Sequence, residues 1–329
     1  MRNSIQISMK IKLSEGNGGE EMQALIKEIR ERLGGPGLWS NSDNDSATVR
    51  VGNEFLHFTT DSYVASPIFF PGGDIGKISA CGTINDLAVM GAEPLGISLS
   101  FVLEEGFDRK EFDKVLESIS KVSKDTKVPV ITGDTKVMEK GKIDRIVINT
   151  SGIGTGKEIL DERIEPGDSI LISGGIGEHA IALLSKRLDF ETDLRTDSKP
   201  LIEEMRKIRG TIKQAKDITR GGLSSALNEM AEKSRTGMLL NEQDIPVKRQ
   251  VLSAAELLGL DPYELACEGR LVCACRAENS QETLDALREF NPEAQVIGQA
   301  TDKKEVILKT RISARRLPKP TGNLVPRIC

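Results

Sequence analysis

Histidine is scarce in this chain: His57 and His179 are the only two in 329 residues. A histidine-based catalytic triad or zinc site therefore has little material. Long apolar runs are missing as well. Nothing approaches the length of a membrane span, so no membrane insertion is expected. Met1 to Lys12 mixes polar and charged residues and has no signal-peptide core. Positive charge is not in excess: 45 Lys and Arg face 50 Asp and Glu, a net charge of -5. That balance gives no reason to expect nucleic acid or an anionic membrane as partner. Five cysteines, an odd number with no disulfide spacing, point to a reducing cytoplasm.

What remains suits a soluble globular protein of one large or two ordinary domains: 38% hydrophobic and 29% charged residues. The stretch Thr59 to Pro94 organises the chain. An alternating strand, Phe55 to Phe58, runs into Thr60-Asp61. A Pro71-Gly72-Gly73 turn follows, and Asp74 stands where an N-cap belongs. A helical run through Ile75, Ile78, Leu87 and Met90 then ends at Gly91. Asn85-Asp86 interrupts its apolar character. A carboxylate in an apolar helix is costly unless a cation or donor meets it. The spacing thus predicts that Asp61 and Asp86 face one site, and that a metal ion belongs there.

Elsewhere, helices and strands alternate. A glycine segment, Gly16 to Gly19, precedes a helical pattern from Met22 to Leu33. It reads either as a flexible linker or as backbone N–H groups offered to a phosphate. Leu95 to Leu103 reads as a strand, Asp108 to Thr126 as an amphipathic helix, and Val128 to Thr132 as a short buried strand delivering Gly133-Asp134-Thr135-Lys136. Ile143 to Ser151 is a further strand. Glu165 to Asp168 is a turn and a boundary. Beyond it a second alternation begins with a strand, Ser169 to Ser173, and a helix, Glu178 to Leu188. Leu201 to Lys213 reads as helical, and Asp217 to Gly222 as a polar loop opening another helix. Arg311 to Cys329 reads as an extended tail. The boundaries fall at 1–42, 43–156, 165–310 and 311–329, in an α/β (α+β) architecture.

Four aspartates, Asp45, Asp61, Asp86 and Asp134, sit beside small or hydroxyl residues at loops or element ends. Either they are turn and cap residues scattered in space, or they converge on Mg²⁺ bridging nucleotide phosphates. Lys136 and Lys77 are either solvated lysines or phosphate neutralisers, Lys136 with a possible part in proton transfer. Glu268 is a base of elevated pKa or a paired carboxylate, and Arg220 an anion holder or a salt-bridge partner. Cys267, Cys273 and Cys275 show no fourth ligand and are expected to be core residues. Cys329 differs: a thiol on the last residue of a basic, proline-rich tail is a liability unless its nucleophilicity is used.

These residues carry a resemblance. Thr60-Asp61-Ser62, Phe69 to Lys77, Gly82-Thr83-Ile84-Asn85-Asp86, Glu104-Glu105-Gly106, Gly133 to Val137, Thr219 to Gly222, Glu268-Gly269 and the terminal Pro326-Arg327-Ile328-Cys329 together resemble the hydrogenase maturation factors of the HypE family. That family lies within the AIR-synthase-like (PurM-like) ATP-binding superfamily. The aspartate motifs point to the superfamily, and the terminal Pro-Arg-Ile-Cys to HypE. The resemblance implies two α/β domains, a homodimer whose N-terminal sheets join in a barrel, and ATP with Mg²⁺ between the domains. It places Asp45, Asp61, Asp86 and Asp134 at the metal, and Gly18, Gly19, Lys77, Thr83, Asn85 and Arg220 at the nucleotide. Its flap sequence His-Gly-Ser-Gly-Gly appears here as Glu15-Gly16-Asn17-Gly18-Gly19, which keeps the glycine backbone but not the two side chains. The implied chemistry is ATP-driven dehydration of a carbamoyl group on Cys329 to a thiocyanate, with Lys136 or Glu268 as base. The implied partners are a HypF-like carbamoyltransferase and a HypC–HypD-like iron scaffold. Two rivals are a superfamily enzyme acting on a free small molecule and a non-catalytic scaffold whose tail docks into a partner.

Overall fold

A computed structural model describes residues 10–321 and 325–329. After a first helix α1 (Gly19–Leu33), the N-terminal domain comprises β1 (Ala47–Val51), β2 (Glu54–Tyr63), the short pair β3 (Phe69–Phe70) and β4 (Gly73–Asp74), α2 (Ile75–Val89), β5 (Glu93–Glu104), α3 (Arg109–Thr126), β6 (Val130–Met138) and β7 (Ile146–Gly156). Its five-stranded sheet has the order β1-β2-β7-β5-β6. The C-terminal domain follows with β8 (Ser169–Ile172), α4 (Glu178–Leu188), α5 (Ile202–Ile208), β9 (Ile212–Asp217), α6 (Gly222–Ser234), β10 (Gly237–Asn241), α7 (Arg249–Leu258), β11 (Leu271–Cys275), α8 (Ser280–Arg288), β12 (Gln295–Thr301), β13 (Val306–Lys309) and β14 (Ala314–Arg316). These strands form a seven-stranded sheet, β14-β13-β10-β12-β8-β11-β9.

Helix α2 is the central element. The Asp74 carboxylate accepts from the Lys77 N–H at 2.9 Å, satisfying one orphan donor of the first turn. Gly91 leaves the helix at φ 88°, a left-handed conformation that favours glycine. Thirteen of its fifteen residues are buried, so it is a helix between layers rather than an amphipathic surface helix. It packs on β2, β5, β7 and α3 of its own domain and on α5 and β9 of the other. Its fully buried Ile75, Ile78, Ile84 and Leu87 each contribute roughly 1.5–3 kcal/mol of transfer free energy. The Asn85 amide locks the junction: Nδ2 donates to the Lys199 carbonyl at 3.0 Å, and Oδ1 accepts from the Leu201 N–H at 2.8 Å.

Three local expectations are corrected. The strand expected at Val128 to Thr132 is β6, nine residues long and exposed from Val130 to Val137. It lies at the sheet edge, paired in parallel with β5 alone, and no element among the described residues covers it. The region Leu201 to Lys213 is not one helix: α5 stops at Ile208 and β9 begins at Ile212, with Gly210 between them. The tail is not simply extended. It supplies β14 at a sheet edge, and then returns so that Ile328 and Cys329 are buried.

Candidate functional site

The alternation of β2 turns His57, Thr59, Asp61 and Tyr63 inward and leaves Phe58, Thr60 and Ser62 outward. This inward row meets α2 rung by rung. The Thr59 hydroxyl donates to the Asp86 carboxylate at 2.7 Å. Asp61 accepts from the Thr83 hydroxyl at 3.2 Å and from the Tyr63 hydroxyl at 3.4 Å. Thr83 is itself hydrogen-bonded to Thr150 of β7. Opposite Tyr63 the helix carries Gly82, where any Cβ would collide with the phenol oxygen. His57, the innermost rung, is a core residue beside Ser46 at 3.2 Å, and burial lowers its pKa to about 4.

The second domain closes the site with the end of β9 and the start of α6. Asp217, the last residue of β9, brings its carboxylate to those of Asp45 and Asp86, and one oxygen from each lies within 4.8 Å of the others. Lys216 forms ion pairs with Asp45 and, at 3.0 Å, with Glu229. Gly222 (φ 62°) begins α6 where a Cβ would strike the backbone of Tyr263, Glu264 and Leu265, so only glycine lets the helix start this close. A cavity of about 270 Å³ results, lined among others by Asp45, Asp61, Asp86, Asp217, Arg220 and Gly222.

Electrostatics set the character of this cavity. Asp86 and Asp217 have pKa values pushed well above the carboxylate range, by burial first and then by neighbouring carboxylates. Asp61 is also raised by burial, with Arg220 opposing. Burial pulls Lys216 down, but Asp45 and Glu229 outweigh it and hold the ammonium charged. The Asp217 Oδ2 atom is buried without a hydrogen-bond partner. Converging oxygens, an orphan acceptor and mutual repulsion fit a hard divalent cation, which takes oxygen ligands and relieves the repulsion. The α6 N-terminus and Arg220 face the same space and favour an anion beside that cation.

Cys329 lies at the inner end of this region and is 8% exposed. Burial pushes its thiol up to about 12; Arg220 opposes, while Glu268, Asp61 and Asp217 add to the rise. The docked sulfur is therefore a neutral thiol at physiological pH. Glu268 is buried too, raised by desolvation and then by Asp217 and Asp197, and its Oε1 has no hydrogen-bond partner. Its backbone N–H donates to the Asp197 carboxylate at 3.0 Å. The glycine segment reaches the same place: the Gly16 carbonyl accepts from Arg220 at 3.2 Å, and Gly18 packs on the Arg220 backbone.

The structure thus gathers Asp45, Asp61, Thr83, Asp86, Arg220, Glu268, Cys329 and the Gly18-Gly19 segment at one domain junction. Four sequence-predicted residues fall elsewhere within a single chain. Asp134 and Lys136 stand on exposed β6 and pair with each other at 3.2 Å. Asn85 spends both ends of its amide on the domain junction. Lys77, whose Nζ donates to the Gly72 carbonyl at 3.3 Å, lies at the start of α2 and does not line the carboxylate cavity. Asp217 and Lys216 join the site without having been singled out. The available signal was a carboxylate two residues before Thr219-Arg220-Gly221-Gly222, at the head of the polar loop that opens a helix.

The comparisons with known proteins agree with this architecture. Residues 43–155 match the family model for the N-terminal domain of AIR synthase related proteins, and residues 165–311 that for the C-terminal domain. The carbamoyl dehydratase HypE of Rhizobium leguminosarum bv. viciae is 41% identical over 97% of this chain and 95% of its own length. A crystal structure of a HypE–HypF complex contains a chain 36% identical, covering 90% of this chain and all of that one, with TM-score 0.84. HypE in complex with ATP is 35% identical, covers 97% of this chain and all of its own, and has TM-score 0.81. With both domain families in order and the relatives matched over nearly their whole length, the chain belongs to the HypE family of AIR-synthase-related hydrogenase maturation proteins.

Proposed function

We propose that this chain is an ATP-dependent carbamoyl dehydratase that works on its own terminal cysteine and supplies the cyanide ligand for the iron of a [NiFe]-hydrogenase. One observation carries the reading. The last residue, Cys329, is buried at the domain junction, amid Arg220, Glu268 and the carboxylate cluster. A free small-molecule substrate would compete with the chain's own terminus for that place, and a scaffold would have no use for a base of raised pKa there. As a neutral thiol inside, Cys329 is a poor nucleophile. It is expected to gain its carbamoyl group outside, from a HypF-like carbamoyltransferase, and to return as a thiocarboxamide.

The residues divide the work. Asp45, Asp86 and Asp217 would hold Mg²⁺, with Asp61 beside them; Mg²⁺ supplies charge neutralisation for the ATP phosphates. Arg220, the α6 N-terminus and the backbone of Gly18 and Gly19 bind and orient the triphosphate. The thiocarboxamide oxygen attacks the γ-phosphorus, and ADP leaves. One N–H proton is lost as the oxygen is phosphorylated. The second is lost as the C–O bond breaks, phosphate departs and the C≡N bond forms. Glu268, whose Oε1 is buried and unpartnered, would take a proton from nitrogen. The cyano group is then passed to iron on a HypC–HypD-like scaffold.

The proposed assembly is a homodimer joined along β6 into a barrel of N-terminal sheets. Its support is an uncovered edge strand that exposes Val130 (42%), Ile131 (58%) and Val137 (66%). On that reading Asp134 and Lys136 serve a site completed by two chains. A reducing cytoplasm suits five cysteines that are all free. No helix among the described residues is long and apolar enough to cross a membrane.

The test is intact-mass analysis of the chain after incubation with a HypF-like partner, carbamoyl phosphate and ATP. Wild type is expected to pass through a carbamoylated form to a nitrile, with one phosphate released per nitrile. Cys329→Ser should fold and bind ATP yet form no nitrile, because a hydroxyl is a far weaker nucleophile near neutral pH. A nitrile on Cys81 or Cys267, or on the serine variant, sinks the reading.

A further inference from the structure

The terminal segment is not held by its own side chains alone. Every backbone carbonyl from Pro326 to Cys329 has a donor from elsewhere in the chain. Arg187 of α4 donates through Nη1 to the Pro326 carbonyl at 2.9 Å and through Nη2 to the Arg327 carbonyl at 2.8 Å. Its Nε donates to the Ser66 carbonyl at 2.6 Å, which ties the fork to the opposite domain. His179, also on α4, places Nε2 3.0 Å from the Ile328 carbonyl. A carbonyl only accepts, so Nε2 carries the proton and Nδ1 accepts from the Thr196 hydroxyl at 2.8 Å. The Val64 and Ser66 N–H groups donate to the Cys329 and Arg327 carbonyls at 3.0 and 3.1 Å. Phe70 meets the His179 ring edge-on at 5.3 Å and fixes its plane.

We infer that Arg187 and His179 are positioning residues: they form a receptor for the backbone of the last four residues and set the register of the Cys329 sulfur against Glu268. The inference rests on the dehydratase reading for what the positioned sulfur does. A guanidinium fork spans two successive carbonyls in one fixed geometry, which a lysine cannot reproduce. The receptor reads main chain, so it gauges how far the thiol lies from the anchored carbonyls rather than which side chains precede it. Arg327 completes the clamp, donating from Nε to the Val64 carbonyl at 2.9 Å and from Nη1 to Asp144 at 2.6 Å. It holds this pose at φ 54°.

Two measurements on the full chain test it. The first is hydrogen exchange at the Val64 and Ser66 amides, with nucleotide and partner absent. Wild type should protect both. Arg187→Met, which keeps the stem and loses the donors, should approach the rate of a chain lacking residues 326–329. The second is single-turnover conversion of carbamoylated chain to nitrile. Arg187→Met should accept the carbamoyl group at the wild-type rate but convert it roughly ten- to a hundredfold more slowly, with KM for ATP unchanged. Arg187→Lys should not rescue it. His179→Gln, whose amide can still donate, should exceed His179→Phe, which gives an independent arm if Arg187→Met folds poorly. Wild-type protection together with wild-type conversion in Arg187→Met and His179→Phe overturns the receptor. If wild type itself makes no nitrile, the dehydratase reading fails, and the exchange rates still decide the receptor.

Discussion

Two groups of aspartates in this chain share a residue type and a motif style but live in opposite environments. Asp86 and Asp217 are buried against other carboxylates, and their pKa values are driven upward. Asp134 is fully exposed on β6, and hydrogen bonding from Lys136 holds its carboxyl below the usual range. The first group is a repulsive assembly that a cation would relieve. The second is a solvated pair whose net contribution within one chain is small. A Gly-Asp-Thr motif therefore does not by itself announce a metal ligand. The layer that covers it decides, and no element among the described residues covers β6.

The sharpest way to break the comparison is to remove a carboxylate from each group. Asp86→Ala and Asp217→Ala are each expected to lower ATP-dependent dehydration by roughly a hundredfold or more, since each removes a carboxylate from the proposed metal–phosphate site. Neither should lower the unfolding midpoint of the nucleotide-free chain by much, because each also removes a buried repulsion. Phosphate release and urea unfolding measure the two effects. Wild-type phosphate release in Asp217→Ala would take that residue out of the site.

Asp134→Ala addresses whether β6 belongs to a site at all. If it completes the partner's site, mixing Asp134→Ala with Asp86→Ala chains should rescue activity that neither has alone. In a two-fold dimer the two defects fall on one site of each mixed pair and spare the other. Half the dimers are then mixed, so about a quarter of wild-type activity returns. No recovery after subunit exchange, with Asp134→Ala inactive alone, would assign Asp134 to its own chain's site.

Much of the central region was legible because its signals are local. The Asp74 cap, the Gly91 stop and the period-two row of β2 need only neighbours in sequence, and all three appear where the residues put them. Asp61 and Asp86 were brought together by the cost of burying a carboxylate, a local argument with a long-range consequence. Asp217 escaped because Leu201 to Lys213 reads as helical and Asp217 to Gly222 as a polar loop, which leaves no strand β9 to carry the carboxylate to Asp86. The Lys213 and Lys216 ammonium groups gave a mixed pattern whose partners, Asp168 and Asp45, are set by tertiary structure. The docked terminus was least legible. Its donors, His179 and Arg187, lie about 140–150 residues upstream and touch only main chain, which leaves no trace in composition or spacing.

The smallest effect is the most discriminating one for the buried group, because its sign is fixed. Asp86, Asp217 and Glu268 have folded-state pKa values above those of the unfolded chain. The folded state therefore binds more protons, and the contribution of these groups to stability is complete below the unfolded carboxyl pKa of about 4 and is lost as pH rises through the raised values. Asp134, held low, has the opposite sign, but its exposure leaves it a minor contributor. Urea midpoints of the nucleotide-free chain should thus decline as pH is raised above about 4, over and above the trend of an Asp217→Asn chain. Saturating Mg²⁺ with a non-hydrolysable ATP analogue should flatten that decline, since a bound cation favours the ionised carboxylates and releases their protons. Calorimetry in two buffers of different ionisation enthalpy would count those protons. A midpoint that rises with pH in the nucleotide-free chain, or Mg²⁺–nucleotide binding with no proton release, would mean that the carboxylates of this cluster are already ionised and that their convergence does not generate the repulsion on which the cation site depends.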